Sequence, residues 1–327
     1  MIMKNLTFLT VGAATQDIFL SHSPEFEPIG DDPENSFFEI PLGAKINVNK
    51  INFATGGGAT NAATTFARNG HYVYFMGTIG KDPAGVSVLN DLDQEGIDTS
   101  LLTHNGRLNT GTSVLLLAPS GERTILTYRG ASTHYNPDNF DIKKVEKIDW
   151  LYVSTLNGHF EILDQLFHDA RKKGAKIAFN PGKKELADPK KLKPLLSDVE
   201  VLLVNKEEAR QIVAGETPEE LVMHARNFCP IVVVTDSVNG AWTSDGKQIV
   251  HAELYDKRKS LDRTGAGDAF GSGFVVKYAA GASLKNALHF ASANASSVVM
   301  KIGTKAGILD ARVAELDPMT ITTKTIG

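Results

Sequence analysis

The chain lacks several features that would settle its role at once. It has a single cysteine in 327 residues, Cys229, so no internal disulfide framework can form and a reducing compartment is expected. Cys229 stands beside Pro230, just before a very apolar run, and reads as a small buried hydrophobe rather than a nucleophile. No apolar run approaches the roughly 18 residues of a membrane span. The start, MIMKNLTFLTVGAATQD, has one lysine, a short apolar stretch, an early Asp17 and no clear cleavage site. It reads as a first buried strand, not a signal peptide, and the protein is expected to be cytoplasmic. Neither sign of charge dominates: 34 basic and 38 acidic residues are mixed along the chain, for a net charge of −4. That excludes a basic stripe for nucleic acid and a polybasic membrane anchor. There is no GxxxxGK[ST], no HExxH and no Cys/His pairing among the nine histidines, which argues against a P-loop NTPase and against zinc chemistry. The first strand is followed by one glycine only, in VGAATQD, so a dinucleotide-binding GxGxxG is missing where it should stand.

What is present is material for a large core. The chain is 42% hydrophobic, enough for one big α/β domain or two smaller ones. Short apolar runs at 6–12, 73–80, 150–156, 175–180, 199–205 and 231–236 read as buried strands. Helical patterns lie between them, such as HFEILDQLFHDARKKG (159–174), which closes on basic residues and a glycine. This alternation predicts a mostly parallel sheet covered on both faces. Two regions break it. Residues 18–55 hold an acidic, proline-bearing loop (the acid-rich part is 24–34) and then the alternating FFEIPLGAKINVNKINFA. Residues 107–130 read as a hairpin turning at PSGE. A small β subdomain built from these two insertions is the simplest account. The main domain is then 1–17, 56–106 and 131–327. The tail after about residue 311 is only weakly patterned.

In open α/β sheets, ligands bind beyond the carboxyl ends of the strands. Asp17, Asn180, Asn205 with Glu208, and Thr235 with Asp236 fall at or just after such ends. Each alone is more often a helix cap or turn former; four together suggest a polar site. Near the C-terminus, LDRTGAGDAFGSGF (261–274) opens an apolar helix. Gly265, Ala266 and Gly267 would leave backbone N–H groups uncovered at a helix start, which is an anion site helped by the helix dipole. Asp268 in the first turn could accept a proton from an attacking hydroxyl. An ordinary glycine-rich helix start is the competing reading. A second cluster, Gly56-Gly57-Gly58, leads into an alanine-rich helix bearing Asn61, whose amide could meet a pair of sugar hydroxyls; a plain loop and cap is the alternative.

Together, in this order and spacing, the two clusters resemble the signature regions of the PfkB/ribokinase family of carbohydrate and nucleoside kinases. The GG…N element corresponds to Gly56, Gly57 and Asn61. The DxTGAGDAF element is matched in full by Asp262, Thr264, Gly265, Ala266, Gly267, Asp268, Ala269 and Phe270, and NxxE by Asn205 and Glu208. The resemblance runs from Gly12 and Asp17 to about Gly303, and it includes a β lid. It implies a ribokinase-like three-layer α/β sandwich around a mostly parallel sheet. It also implies transfer of the ATP γ-phosphoryl group to a sugar hydroxyl, with Asp268 as base and the backbone of Gly265, Ala266 and Gly267 stabilising the transferring group. Asp17, Gly57 and Asn61 would hold the sugar. Asn180, Asn205, Glu208, Thr235, Gly240 and Asn294 would meet the nucleotide, with Glu208 organising Mg2+ through water. Backbone carbonyls near Asp262, Thr264 and Gly303 would bind a monovalent cation such as K+, and the lid would pair two copies into a homodimer.

The chain departs from the family pattern in its nucleotide loop. The usual T-x-G-x-x-G reads TDSVNG here, with Ser237 for the first glycine and the acidic Asp236 before it. The segment between Asp17 and the glycine cluster is also longer than in many relatives. A sugar is the leading acceptor. A nucleoside would want an aromatic wall, for which Phe37, Phe38 and Phe53 are candidates; a sugar phosphate would want basic residues, for which Lys45, Arg107 and Arg129 are candidates. A non-catalytic sensor is disfavoured because Asp268 and the anion loop are both intact.

Overall fold

The computed structural model describes residues 5–21, 23–30, 36–119, 122–255, 260–313 and 316–326. In chain order its strands are β1 (Thr7–Val11), β2 (Thr15–Ser21), β3 (Lys50–Gly56), β4 (Tyr72–Gly80), β5 (Asp98–Asn105), β6 (Gly111–Leu117) and β7 (Arg123–Tyr128). They continue as β8 (Trp150–Ser154), β9 (Lys176–Asn180), β10 (Val201–Asn205), β11 (Ile231–Thr235), β12 (Ala241–Ser244), β13 (Gln248–Ala252) and β14 (Ile321–Thr325). The main sheet runs β14-β13-β12-β11-β10-β9-β8-β1-β4-β5. All pairs from β11 through to β5 are parallel; the three pairs from β11 out to β14 are antiparallel.

Alternation along these strands feeds two separate cores. On β10, Leu202 and Val204 point to one face and Val201 and Leu203 to the other, all of them buried. One face packs Leu151, Val153, Ile177 and Phe179 under Ile162, Leu166 and Phe167 of the helix Phe160–Lys172. The other packs Phe8, Phe75, Trp150 and Tyr152 under Phe66 of the helix Gly58–Arg68 and Phe274 and Leu288 of the helices Ala266–Ala279 and Leu284–Val299. A strand buried on both faces reads as one continuous apolar run, which is why the central strands were visible in sequence. This is the expected three-layer sandwich.

The outer strands were not visible. β14 is mostly exposed and polar (ITTKT) and pairs only with β13, so the weakly patterned tail holds an edge strand. The alternating stretch 37–54 forms a strand only from Lys50; before it, Phe37 makes a single bridge to Ile29. Within the acidic stretch, Asp31, Asp32, Pro33 and Glu34 lie outside the described residues. The hairpin at 107–130 is present as β6 and β7, closed by Ala118 N–H donating to Glu122 O at 2.9 Å. These strands and the two earlier ones form a second sheet, ordered β3-β2-β6-β7. Its register puts Ala54, Asp17, Ser113 and Thr127 in one row, and Phe53, Ile18, Val114 and Leu126 in the next, on the opposite face. Cys229 is buried, and burial pushes its thiol up to about 12, as an inert core residue should show. Among the described residues no helix is long and apolar enough to cross a membrane.

Candidate active site

The polar site lies beyond the carboxyl ends of β8 to β11, where two helices begin. The helix Ala266–Ala279 starts after Gly265, which takes φ +79°, and a Cβ there would come within 2.7 Å of Thr304 Cβ. Gly267 has open space where a side chain would be. In the first turn, N–H groups have no carbonyl four residues back, so those of Gly267 and Asp268 are available to an anion.

Asp268 is half-buried in this turn. Its Oδ2 accepts a hydrogen bond from Asn61 Nδ2 at 2.8 Å. Burial pushes its carboxyl above the ordinary range, and the Asn61 amide partly opposes this by favouring the charged form. Asn61 is itself buried, and its Oδ1 accepts from Thr304 Oγ1 at 2.8 Å. Both ends of the amide are therefore engaged by protein. Gly58 lies close enough that a Cβ on it would stand 3.1 Å from Asp268 Oδ1. Gly57, the helix N-cap, takes φ +102°, and a Cβ there would strike Ala13 O at 2.2 Å. This glycine is required both by its dihedral and by the backbone beside it.

Asp262 organises the loop before this helix. Its Oδ1 accepts from Thr264 N–H at 2.9 Å and Thr264 Oγ1 at 2.6 Å, and its Oδ2 accepts from Gly303 N–H at 3.2 Å. Arg123 of β7 brings its Nε to 3.9 Å from the same carboxylate, linking the small sheet to the loop. Asp262, Thr264 and Gly303, grouped in sequence by resemblance, thus meet in space.

Asn205 and Glu208 form a capping box. Asn205 Oδ1 accepts from Glu208 N–H at 2.9 Å, and Glu208 Oε2 accepts from Asn205 N–H at 2.8 Å. Burial raises the Glu208 carboxyl, against the lowering effect of those Asn205 contacts. These two residues line a cavity of about 140 Å³ with Asn180, Thr235, Gly267 and Asp268. Asn180 is oriented by Nδ2 donating to Leu203 O at 2.8 Å. Thr235, Gly267 and Phe270 also line an adjoining cavity of about 230 Å³, which extends along Ser237, Gly240 and Tyr255.

The loop 236–240 takes positive φ at two positions, Gly240 and the departing residue Ser237. Gly240 takes φ +92°, and a Cβ there would meet Ala252 O at 2.0 Å. Ser237 also sits at positive φ, +48°, a conformation that glycine adopts at no steric cost. Asp236 faces inward to Lys206 Nζ at 3.1 Å, so its charge is paired. Asn294 does not join this site. It is fully buried, its Nδ2 donates to Ala269 O at 2.7 Å, and its Oδ1 accepts from Leu309 N–H at 2.8 Å. The cavity is met instead by Ser292, Ala295, Ser296 and Val299 of the same helix.

A larger cavity, about 440 Å³, lies on the other side of Gly57, under the small sheet. Thr15, Gly57, Ser113, Thr127 and Arg129 line it, with Thr155, Asn157, Lys183 and Lys184 from the main domain. Asp17 stands behind Ser113. Its carboxyl lies against Gly56, where a Cβ would come within 2.4 Å of Oδ2, and burial pushes it from 3.8 up to about 6 despite the Ser113 hydrogen bond. Of the basic candidates, Arg129 lines the cavity and Lys45 and Arg107 do not. Phe37, Phe38 and Phe53 do not line it either; Phe38 packs on Phe26 with ring centroids 5.9 Å apart. Lys183, Lys184 and Thr155 escaped the sequence reading. The signal was there, since NPGKK follows the carboxyl end of β9.

The description of pfkB family carbohydrate kinases matches residues 30–311. The chain belongs to that family. As a pfkB family carbohydrate kinase, it is a phosphotransferase whose acceptor is an alcohol group, and ATP and Mg2+ are the family's reagents. It is 27% identical over 285 residues to a ribokinase of Haemophilus influenzae, covering 83% of this chain and 89% of that protein. Its fold is similar to that of an adenosine kinase from Sinorhizobium meliloti, with a TM-score of 0.78, 21% identity, and 95% and 99% of the two chains covered. It is also similar to an E. coli chain described as a candidate Ribokinase II in complex with ATP and Mg2+, with a TM-score of 0.77, 18% identity, and 94% and 96% covered.

Proposed function

We propose that this pfkB kinase transfers the γ-phosphoryl group of ATP to a sugar hydroxyl, with Asp268 as the general base. The observation that carries the reading is the position of Asp268. Its carboxylate lines the small cavity that holds Glu208 and Gly267, and through Asn61 it is tied to the Gly57 turn that walls the large one. A hydroxyl presented past Gly57 would reach a carboxylate held by one amide, on the rim of a backbone anion site.

The residues fit the nucleotide. The 230 Å³ cavity would take the base and ribose, and the phosphates would extend over Gly267 toward Asn180 and Asn205. Two carboxylates, Glu208 and Asp268, line the phosphate cavity, which suits a hard cation that keeps part of its water shell. Bound Mg2+ would neutralise charge on the transferring group; the chain's own part is to hold the anion at 265–267 and to remove the hydroxyl proton at Asp268. We assign Asn61 to orienting Asp268, because both ends of its amide are engaged, and leave sugar contacts to Ser113, which Asp17 backs from behind, and to the Gly57 turn. A monovalent cation such as K+ would sit by the carbonyls around Asp262, Thr264 and Gly303.

The small sheet would act as a lid formed by 18–55 and 107–130 over the remaining domain. Its outer row carries Phe53, 62% exposed, and Leu126, 57% exposed, and pairing two such faces would give a homodimer. A cytoplasmic location fits the one inert cysteine. The test of the base is Asp268→Asn: turnover of ATP with sugar should fall by at least about a thousandfold while ATP affinity stays within a few-fold, since the backbone anion site remains. A variant that keeps substantial kcat would sink the assignment.

A further inference from the structure

The large cavity has a charge that the reaction as proposed does not explain. Three cations line it, Arg129 after β7 and Lys183 and Lys184 after β9, and no acidic residue does. The chain as a whole has more acids than bases, 38 against 34. Cations elsewhere near the site are neutralised: Lys206 by Asp236 at 3.1 Å, and the buried Lys305 by Asp91 at 2.6 Å. Among the described residues, no ion pair engages Arg129, Lys183 or Lys184. Glu185 follows Lys184 but is turned away from the cavity. Its carboxylate accepts from Thr155 Oγ1 at 2.7 Å and from the N–H groups of Leu156, Gly158 and Gly182 at 2.9, 2.8 and 3.0 Å. That carboxylate is saturated by neutral donors inside the fold, and the two lysines beside it are left to the cavity.

All three residues are exposed to solvent as well as lining the cavity, and like charges around one concavity favour an anion there. Arg129 offers a planar fork for two oxygens of one group, and the lysines add point charges. Hydroxyl-bearing side chains, among them Thr15, Ser113, Thr127 and Thr133, line more of the wall, which suits a polyhydroxy ligand. The one aromatic residue on this wall is Tyr128.

We infer that the acceptor is an anionic sugar, carrying a phosphate or carboxylate group that Arg129, Lys183 and Lys184 bind while its free hydroxyl faces Asp268. This rests on the kinase reading above and specifies its substrate class.

The experiment measures kcat/KM with MgATP for matched acceptors. The pairs are D-fructose with its 1- and 6-phosphates, D-ribose with its 1-phosphate, and D-glucose with D-gluconate, which keeps the hydroxyls at C2 to C6; adenosine and inosine are added. Wild type, Arg129→Gln and the Lys183→Gln/Lys184→Gln double variant are compared. The expected result is a preference for an anionic member of at least about tenfold, cut at least about tenfold in each variant and weakened by added salt. The phosphate and carboxylate arms tell which anion is bound. A neutral sugar or a nucleoside preferred throughout overturns the inference and leaves the kinase standing. If nothing in the panel turns over, thermal unfolding decides. A rise in Tm with an anionic sugar that disappears in the variants keeps the anionic site and counts against the kinase reading. No rise with any of them overturns the inference.

Discussion

Replacing Asn61 with alanine tests how the site works. The Asn61 amide donates to Asp268 at 2.8 Å, and a hydrogen bond to a charged group contributes about 1.5–3 kcal/mol. The bond favours the ionised carboxylate, so its loss raises the pKa of Asp268. At about 1.36 kcal/mol per factor of ten, that bond is worth about a 10- to 100-fold bias toward the ionised form. A base must be ionised to act, so the acid limb of the pH profile of kcat/KM should move up accordingly. Below the limb, activity at fixed pH should fall about 10- to 100-fold, recovering as pH rises. The fold should survive, because Thr304 Oγ1 keeps its second acceptor, Thr55 O at 3.1 Å. The assay is coupled ADP release over about pH 5 to 9 with the best acceptor, with Tm as the control. An unmoved acid limb, with the whole loss in acceptor KM, would refute this reasoning. Asn61 would then hold the sugar, and its contact with Asp268 would belong to the empty protein only.

Three more perturbations separate structure from chemistry. Gly57→Ala must place a Cβ against Ala13 O and Ala14 Cα at positive φ; a loss of about 2–4 kcal/mol in denaturant unfolding is expected, and one under about 1 kcal/mol would show that the turn relaxes freely. The Asp17 carboxyl, pushed from 3.8 up to about 6, binds its proton more tightly folded than unfolded, so stability is lost as pH rises across that window. The difference in unfolding free energy between wild type and Asp17→Asn should change by about 2 kcal/mol between pH 3.8 and 6, and a pH-independent difference would contradict the buried placement. Glu208→Gln keeps a side chain able to close the capping box with Asn205, so Tm should hold while the Mg2+ needed for half-maximal activity rises; unchanged Mg2+ dependence would reduce Glu208 to a cap.

The sequence by itself determined the family, the central strands and the glycine turns. Those features are written locally: a doubly buried strand such as β10 is one apolar run, and Gly265 and Gly240 stand where the backbone takes positive φ. Tertiary structure decided what pairing and packing control. β14 carries no apolar pattern because one neighbour and solvent flank it, so only its pairing with β13 defines it. Asn294 has the residue type of a ligand contact, but helix rotation turns it into the core and gives the cavity Ala295 and Val299 instead. Asn61 was legible as a site residue, yet its engagement with Asp268, 207 positions away, was not. Arg129, Lys183 and Lys184 are ordinary charges in sequence, more than fifty positions apart at the extremes, and they line one cavity only after β7 and β9 are brought together. Local chemistry names which residues can act; the charge of a site is a sum over segments, and only the fold performs that sum.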